Sequence, residues 1–552
     1  MSRLFRGRRT RVAPSVGPDW VGPFAPQNRP CSWTAIGNIA SPRQAIVDSR
    51  GLVTPRVGGW SLDWWIGGDD RWYVPSREAP SRMRQQLIDA SPVVETVMRI
   101  PSGEAMQRAY SIVGGAASDD DLVIVEIENR SRVPFALALA IRPYNAAGVA
   151  PIEDIELLDG TAALVDGRVA LLMPKAPARV AASTFDEGDS ASVVMDGRAG
   201  TVDAFPERVH DSAGMAQAAF IFPLPHTAIL RVALPMVGST SSASYPTAIP
   251  SPTQVAAGWA AQSSTGMRLD LPDARLQDAV DANRRFLLLF HEGSSITPGP
   301  TANRFGVREA ASMLAALDRY GYYAQAAEVL RSYPSRRRLD GSFISEPKEL
   351  DANGYALWSL GEHWRLTRDR ELLDATTESV ARREHSIDRV TRKLDGAPAP
   401  SLDTGSLERL QQLLDTASPT WTWPDASDPH LADERAVEGH SGVAAAKFLA
   451  LVRNLLVCEI DDGGQGLALC SKIPDEWLGQ GIEVHDAPTY FGRMSYAVRW
   501  HGDRPALLWD LDRFDDVDVV RLVAPGLDPV WSSLETRGEA LLAPVAIREV
   551  TA

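Results

Sequence analysis

The sequence predicts a multidomain protein with α and β parts: an N-terminal antiparallel β-sandwich, a helical-hairpin domain and a small C-terminal β-sandwich. Three observations predict it. Over residues 30–265, short apolar runs alternate with loops that carry Gly, Pro, Ser or Asp, as in a many-stranded sandwich. Over residues 266–460, apolar residues recur at helical spacing. Over residues 461–552 a period of two returns, with Met494, Tyr496, Val498 and Trp500 set between polar or small residues.

The chain has 552 residues, which is too many for one ordinary core and suits about two to four domains. Its hydrophobic fraction of 44% and charged fraction of 23% are those of a globular protein. A net charge of -15 argues against nucleic acid or an anionic membrane as partner. No run of eighteen apolar residues occurs, so no membrane-spanning helix is expected. Cys31, Cys458 and Cys470 are too few and too scattered for a disulfide framework or a zinc site. A reducing, cytoplasmic location is therefore expected, with no metal and no cofactor. Residues 1–29 open with a basic stretch that lacks an apolar segment behind it, so they read as a disordered tail.

In the sandwich, Leu122–Glu128 and Phe135–Ile141 flank a turn, and the second run alternates large and small side chains, as one buried face of an antiparallel sheet would. Ala162–Val165, Val169–Leu172, Ser192–Met195, Ala219–Phe222 and Ala228–Leu234 are further strand candidates. Leu276–Phe290 opens the helical part, and about seven helical segments follow one another to Cys458. Gly321 and Pro334 mark turns between them. In the C-terminal part, His501–Pro505 turns the chain into the strand Ala506–Leu511.

Missing motifs narrow the chemistry. The chain has no GxxxxGK(S/T), HExxH, CxxC or GxSxG segment. Nucleophilic serine, metal hydrolysis and hydride transfer thus lack local support, and carboxylate chemistry remains. Aromatics and acids crowd together at Glu346, Glu349, Asp351, Tyr355 and Trp358, the residue types that stack on sugar rings and hold hydroxyls or move protons.

Several stretches resemble an (α/α)6 toroid of the glucoamylase and glycogen-debranching type of glycoside hydrolase. They are Arg308-Glu309-Ala310, Asp318-Arg319-Tyr320-Gly321, Asp340-Gly341-Ser342-Phe343, the run Glu349–Trp358, Trp421-Thr422-Trp423-Pro424-Asp425, and His440 with the helix to Asn454. The N-terminal sandwich, with Trp60, Trp64, Trp65 and Trp72 in its opening strands, also resembles that group. The resemblance implies hydrolysis of α-linked glucan or related oligosaccharides by an inverting pair of carboxylates roughly 6.5–9.5 Å apart. It implies Glu349, Asp351 and Asp425 as catalytic candidates. Arg308, Glu309, Trp358, Trp423 and His440 become substrate-binding candidates. A closed toroid of that type has twelve helices, so the ring here is expected to be incomplete. The loop that should carry the general acid is replaced by a proline-rich stretch whose one glutamate is Glu408.

The bland reading stands beside each assignment. The tryptophan cluster is also what a core between sheet and helices looks like. Asp351 is placed to cap a helix, Glu309 sits at a helix start, and a lone His440 without spaced partners reads as structural. The alternative function is a catalytically impaired homologue that serves as a carbohydrate-binding or scaffold protein. A phosphorylase on the same architecture is the third reading. In each case the expected partner is an oligosaccharide or polysaccharide.

Overall fold

The computed structural model describes residues 32–39, 41–114, 120–146, 148–238, 244–301, 305–336, 343–344, 352–381, 406–424, 439–461 and 465–545. The basic segment 1–29, Cys31, and the candidates Glu349, Asp351 and Asp425 lie outside these residues.

The N-terminal part is a sandwich of an eight-stranded and a nine-stranded sheet. The first sheet runs Trp33–Gly37, Gln44–Asp48, Val53–Thr54, Ser61–Gly67, Phe135–Arg142, Gln217–Leu224 and Arg179–Ser183, with Trp72–Tyr73 beside Ser61–Gly67. The second is centred on Ile229–Pro235, Leu122–Asn129 and Gly103–Ile112. Their facing sides form one apolar core that includes Trp64, Val125, Leu139 and Phe220.

Two sequence expectations are corrected here. Leu122–Asn129 and Phe135–Arg142 flank a turn but belong to opposite sheets: the first pairs with Gly103–Ile112 and Ile229–Pro235, the second with Ser61–Gly67 and Gln217–Leu224. The connection arches between the layers and is held by buried Asn129. Its amide donates to the carbonyls of Val133 and Leu224, and its oxygen accepts from the Ser131 N–H and hydroxyl. The large–small alternation of Phe135–Arg142 reflects two covered faces, not one. Leu137, Leu139 and Ile141 enter the sandwich core, while Ala138 and Ala140 lie with Trp65 under helix α1 (Ser190–Met195). That helix replaces the strand expected at Ser192–Met195. Asp189 caps it by accepting from the Ala191 N–H, which favours helix at a short apolar run.

Helical structure begins earlier than the sequence pattern suggests. Helix α2 (Pro252–Ser263) starts with a capping box in which Ser251 and Gln254 satisfy each other's backbone N–H groups. Seven helices follow among the described residues: α3 (Ala274–Leu289), α4 (Val307–Arg319), α5 (Tyr323–Arg331), α6 (Ala352–Thr367), α7 (Arg370–Ala381), α8 (Leu407–Thr416) and α9 (Gly442–Leu456). The expected helical runs Leu276–Phe290 and Gly442–Cys458 are thus present, the second ending two residues early where Val457–Asp461 turns to strand.

Side-chain pairings fix the directions of the helices. Arg308 meets Tyr355 near the starts of α4 and α6, and Arg319 meets Glu362 near their ends, so these helices run parallel. Met313 lies against Gly442, and Tyr320 donates to the Leu449 carbonyl, so α9 runs the same way. At Gly442 a Cβ would stand 2.6 Å from the Met313 methyl, and the bare backbone lets α4 and α9 close up. Helix α3 runs opposite. Its end, at Phe286 and Phe290, meets the start of α9.

The C-terminal part has a five-stranded and a four-stranded sheet. The edge strand of the larger one, Arg268–Asp270, precedes all seven helices and pairs antiparallel with Ile482–Thr489. Helices and C-terminal sheets share one apolar core, continuous from Trp259 through Phe286, Leu317 and Phe448 to Tyr496 and Leu542. Cys458 and Cys470 are buried within this part, as expected of small hydrophobes.

Candidate functional site

Because α4, α6 and α9 are parallel, their N-termini gather at one end of the helical unit and their C-termini at the other. The two ends are built differently.

The C-terminal ends face the C-terminal sheets and are locked by buried charge. Each helix carries an arginine in its last turn: Arg319, Arg365 and Arg453. A cation there offsets the partial negative charge of the terminal carbonyls. Arg319 donates from Nε and Nη2 to Glu362 Oε1 at 2.9 and 2.6 Å, and the Tyr490 hydroxyl donates to Glu362 Oε2 at 2.7 Å. Arg453 pairs with Glu459 and also donates to the Pro488 carbonyl. Beside them, His363 Nδ1 lies 2.9 Å from Asp318 Oδ1, both fully buried. The charged groups at this end are thus buried against the C-terminal sheets.

The Asp318–His363 pair makes stability pH-dependent. Burial pushes the Asp318 carboxyl up from 3.8 to about 6, against the opposing His363 bond. Burial alone would lower His363, but the bond to Asp318 and the charges of Asp318 and Asp369 outweigh it, and its value is raised above 6.5. Both groups therefore favour the folded state in their protonated forms. Their stabilisation is lost as pH climbs, through about 6 for Asp318 and above 6.5 for His363. Glu459 works in the opposite sense at lower pH. Burial opposes its ionisation, but Arg453 prevails and holds it below 4.5. The expected result is a lower urea midpoint at pH 8 than at pH 5.5, with a smaller difference in His363→Gln. Equal pH slopes in the two proteins would refute the assignment.

The N-terminal ends carry exposed Arg308 and other residue types of a ligand site. Gly306 caps α4 without a side chain, and Glu309, in the first turn, folds its carboxylate back toward it: a Cβ on Gly306 would lie 2.5 Å from Glu309 Oε2. A carboxylate there interacts favourably with the terminal N–H groups. The Arg308 guanidinium sits 5.4 Å from the centre of the Tyr355 ring. Tyr355 packs beside Trp358, which is buried against Ala311 and Ala315, with its indole N–H unpartnered among the described residues. Before α4, Phe305 carries Arg336 over its face at 4.0 Å. Tyr333 stands edge-on to Phe305 and to Phe343, at 6.4 and 5.4 Å. Flat apolar faces, guanidinium groups and helix N-termini together suit a ligand with apolar ring faces and an oxygen-rich rim.

The structure divides the candidates. Arg308 and Glu309 come together at the surface of this end, with Trp358 buried beneath them at 4% exposure. Trp423 and His440 belong to its floor, not its surface. Trp423 is 5% exposed, packs on Phe448 and donates its indole N–H to the Leu413 carbonyl. His440 is wholly buried between the edges of Phe286 and Phe290, and its Nδ1 accepts from the Ala35 N–H at 3.0 Å. Burial drives its imidazole down to about 3, so it stays neutral and pins the first strand of the sandwich to the helices. Neither residue offers a face to a sugar. Asp351 and Asp425 lie outside the described residues, but each adjoins a described anchor here. Ala352 opens α6, and the Trp423 carbonyl accepts from the Ser441 N–H beside the start of α9. Glu408, on exposed α8, is remote from this end.

One acid escaped the sequence reading. Glu292 lies in the short hairpin His291–Glu292/Ser295–Ile296 that follows α3, and antiparallel α3 ends where α4, α6 and α9 begin. Arg336, stacked on Phe305, donates to the Ser294 carbonyl and ties this hairpin to the aromatic group. Glu292 is half-buried, and burial raises its carboxyl, with the Thr297 hydroxyl offsetting part of the effect. Its sequence signal was only an acid just past a long apolar helix.

No protein-family model matches the chain, and no curated protein matches it. Among solved structures it is similar to a bacterial glucoamylase complexed with acarbose, at 9% identity and a TM-score of 0.40, over 63% of this chain and 57% of that one. It is also similar to a putative kojibiose phosphorylase from human microbiome, at 6% identity and a TM-score of 0.42, over 93% of this chain and 91% of that one. A third is a family GH92 alpha-mannosidase from Bacteroides thetaiotaomicron in complex with mannoimidazole, at 9% identity and a TM-score of 0.34, over 66% and 56%. The chain thus spans just over half the length of the glucoamylase and of the mannosidase, and at these scores none of the three fixes an activity.

Proposed function

We propose that the chain is a glycan-processing protein of glycoside hydrolase type, with its sugar site at the end of the helical unit where α4, α6 and α9 begin. The observation that carries this reading is the gathering there of Arg308, Tyr355 and Trp358 with the Phe305–Tyr333–Phe343 group, around three parallel helix starts. The half-buried rings of Phe305 and Tyr355 take the apolar faces of the sugar, the buried Trp358, Tyr333 and Phe343 support them from beneath, and Arg308 and the helix N–H groups take hydroxyl oxygens.

The reaction suited to such a site is inverting hydrolysis by two carboxylates. Glu292 fits the proton donor, since burial raises its carboxyl above the ordinary value, the direction a general acid needs. Asp425, Asp351 or Glu349 is the partner that activates water from the opposite side of the ring. A panel of α-linked oligosaccharides, with the product anomer followed by NMR, tests the scheme. The expected product has inverted configuration, and its formation needs no phosphate. Turnover only with added phosphate would point to phosphorolysis instead. Binding without turnover would leave a carbohydrate-binding protein.

Arg308→Gln probes the site without disturbing a core residue, since Arg308 is exposed. It is expected to weaken glycan binding about tenfold, with an unchanged melting temperature, because one charged donor over an aromatic face is lost. Unchanged affinity would place the sugar elsewhere.

A further inference from the structure

A second cavity lies far along the chain from the helical end, at one mouth of the N-terminal sandwich. It encloses about 190 Å³ between the loop that precedes Ser61–Gly67 in one sheet and the hairpin Ala162–Val165/Arg168–Leu172 in the other. Val165, Ala170, Pro235 and Met236 form an apolar floor. Trp60 packs its ring partly on the sandwich core and lines the cavity with the remainder.

The polar groups at the rim are mostly donors. The Arg56 guanidinium makes no ion pair and no hydrogen bond among the described residues. Arg168 spends one N–H on the Gly238 carbonyl and has no carboxylate partner among the described residues. The Trp60 indole N–H is likewise uncommitted among them. The one acid, Asp166, is engaged through Oδ1 by the backbone N–H groups of Glu153 and Asp154, which leaves Oδ2 as an acceptor. The rim is also preformed. The Gly59 N–H closes a turn on the Arg56 carbonyl, and Asn145 donates to the Gly59 carbonyl at 2.7 Å.

Two arginines without carboxylate partners among the described residues, one aromatic ring and one acceptor around an apolar floor select a definite chemistry. The guanidinium groups call for an anion, which they bind through paired N–H donors. Trp60 and the floor call for a ring with an apolar face, and Asp166 for a hydroxyl. The volume is below the roughly 300 Å³ at which drug-sized pockets begin, which limits the ligand to one ring. We propose that this cavity binds a single hexose-sized ring bearing one anionic group, a hexuronate or a hexose phosphate. It is independent of the site at the helical end.

The test is titration of the full chain with glucuronate, glucose 6-phosphate and glucose, followed by tryptophan fluorescence and saturation-transfer NMR. An anionic sugar is expected to bind and neutral glucose to bind at least about tenfold more weakly. Arg56→Ala/Arg168→Ala is expected to lose at least about tenfold in affinity for the anionic sugar, Arg56→Lys to lose less, and Arg308→Gln to lose none. Both arginines are exposed, so these variants keep the fold. Glucuronate binding alone identifies a carboxylate ligand, and glucose 6-phosphate binding alone a phosphate ligand. Equal affinity for glucose, no binding of either anion at millimolar concentration, or retained affinity in the double variant overturns the proposal.

Discussion

Glu362→Ala is expected to destabilise the helical and C-terminal unit by about 3–5 kcal/mol, the usual cost of stranding a buried charge. Glu362 is 1% exposed and Arg319 3% exposed. Both oxygens of Glu362 are engaged, one by Arg319 and one by Tyr490. Truncation leaves the Arg319 guanidinium in the interior with Glu459, already paired to Arg453, as its remaining counter-charge, and removes the Tyr490 acceptor. Glu362→Gln keeps one acceptor oxygen for Arg319, while its NH2 can donate to the Tyr490 hydroxyl, and is expected to cost less. Replacing the pair together, as Arg319→Met/Glu362→Leu, should recover much of the loss, because no lone charge then remains. Urea unfolding followed by tryptophan fluorescence measures all three. A midpoint for Glu362→Ala equivalent to less than about 1 kcal/mol from the parent would show that water reaches the pair.

The second large effect is on turnover. Asp425→Asn is expected to reduce hydrolysis by about 10²–10⁴-fold while leaving glycan affinity unchanged, since a water-activating carboxylate acts in the transition state and contributes little to ground-state binding. Asp351→Asn serves as its comparison. It precedes α6, so loss of a helix-capping acid alone would lower stability by about 1 kcal/mol and leave the rate nearly intact. Glu292→Gln should lower turnover at neutral pH and remove the alkaline limb of the pH–rate profile. If the chain binds oligosaccharides and none of the three changes a rate, hydrolysis is not its function, and carbohydrate binding is.

Periodicity made the layers legible. The strand Gly492–His501 alternates buried Met494, Tyr496 and Val498 because it has one covered face, and α4 carries Ala310, Met313, Leu314 and Leu317 at helical spacing although it is buried nearly all round. Patterns failed where both faces are covered or where pairing is remote. Phe135–Arg142 is buried on both sides, so its alternation of size did not reveal that its flanking partner lies in the other sheet. The pairing of Arg268–Asp270 with Ile482–Thr489 joins segments separated by the whole helical unit, which no local signal encodes. At the site, Arg308 and Trp358 were legible as motif residues, though not that Trp358 is buried, whereas Glu292 depends on the antiparallel course of α3, a tertiary fact. His440 misled because buried and ligand-facing histidines look alike in sequence. Only the Phe286 and Phe290 edges and the Ala35 N–H distinguish them.

That remote strand pairing also sets an order on synthesis. The N-terminal sandwich has its last strand by Pro235 and can close while the rest of the chain is still emerging from the ribosome. The helices cannot follow in the same way. Their apolar core runs on to Leu542, and the strand at Arg268–Asp270 waits for Ile482–Thr489 before its edge is paired. Leu276, Phe286, Leu317 and Phe448 therefore remain without their full cover until nearly the whole polypeptide has been made, an interval in which a nascent chain depends on holdase chaperones. A stop codon anywhere before Arg537–Leu541 would deprive the second unit of an edge strand, and release a product with a folded first unit and a sticky remainder.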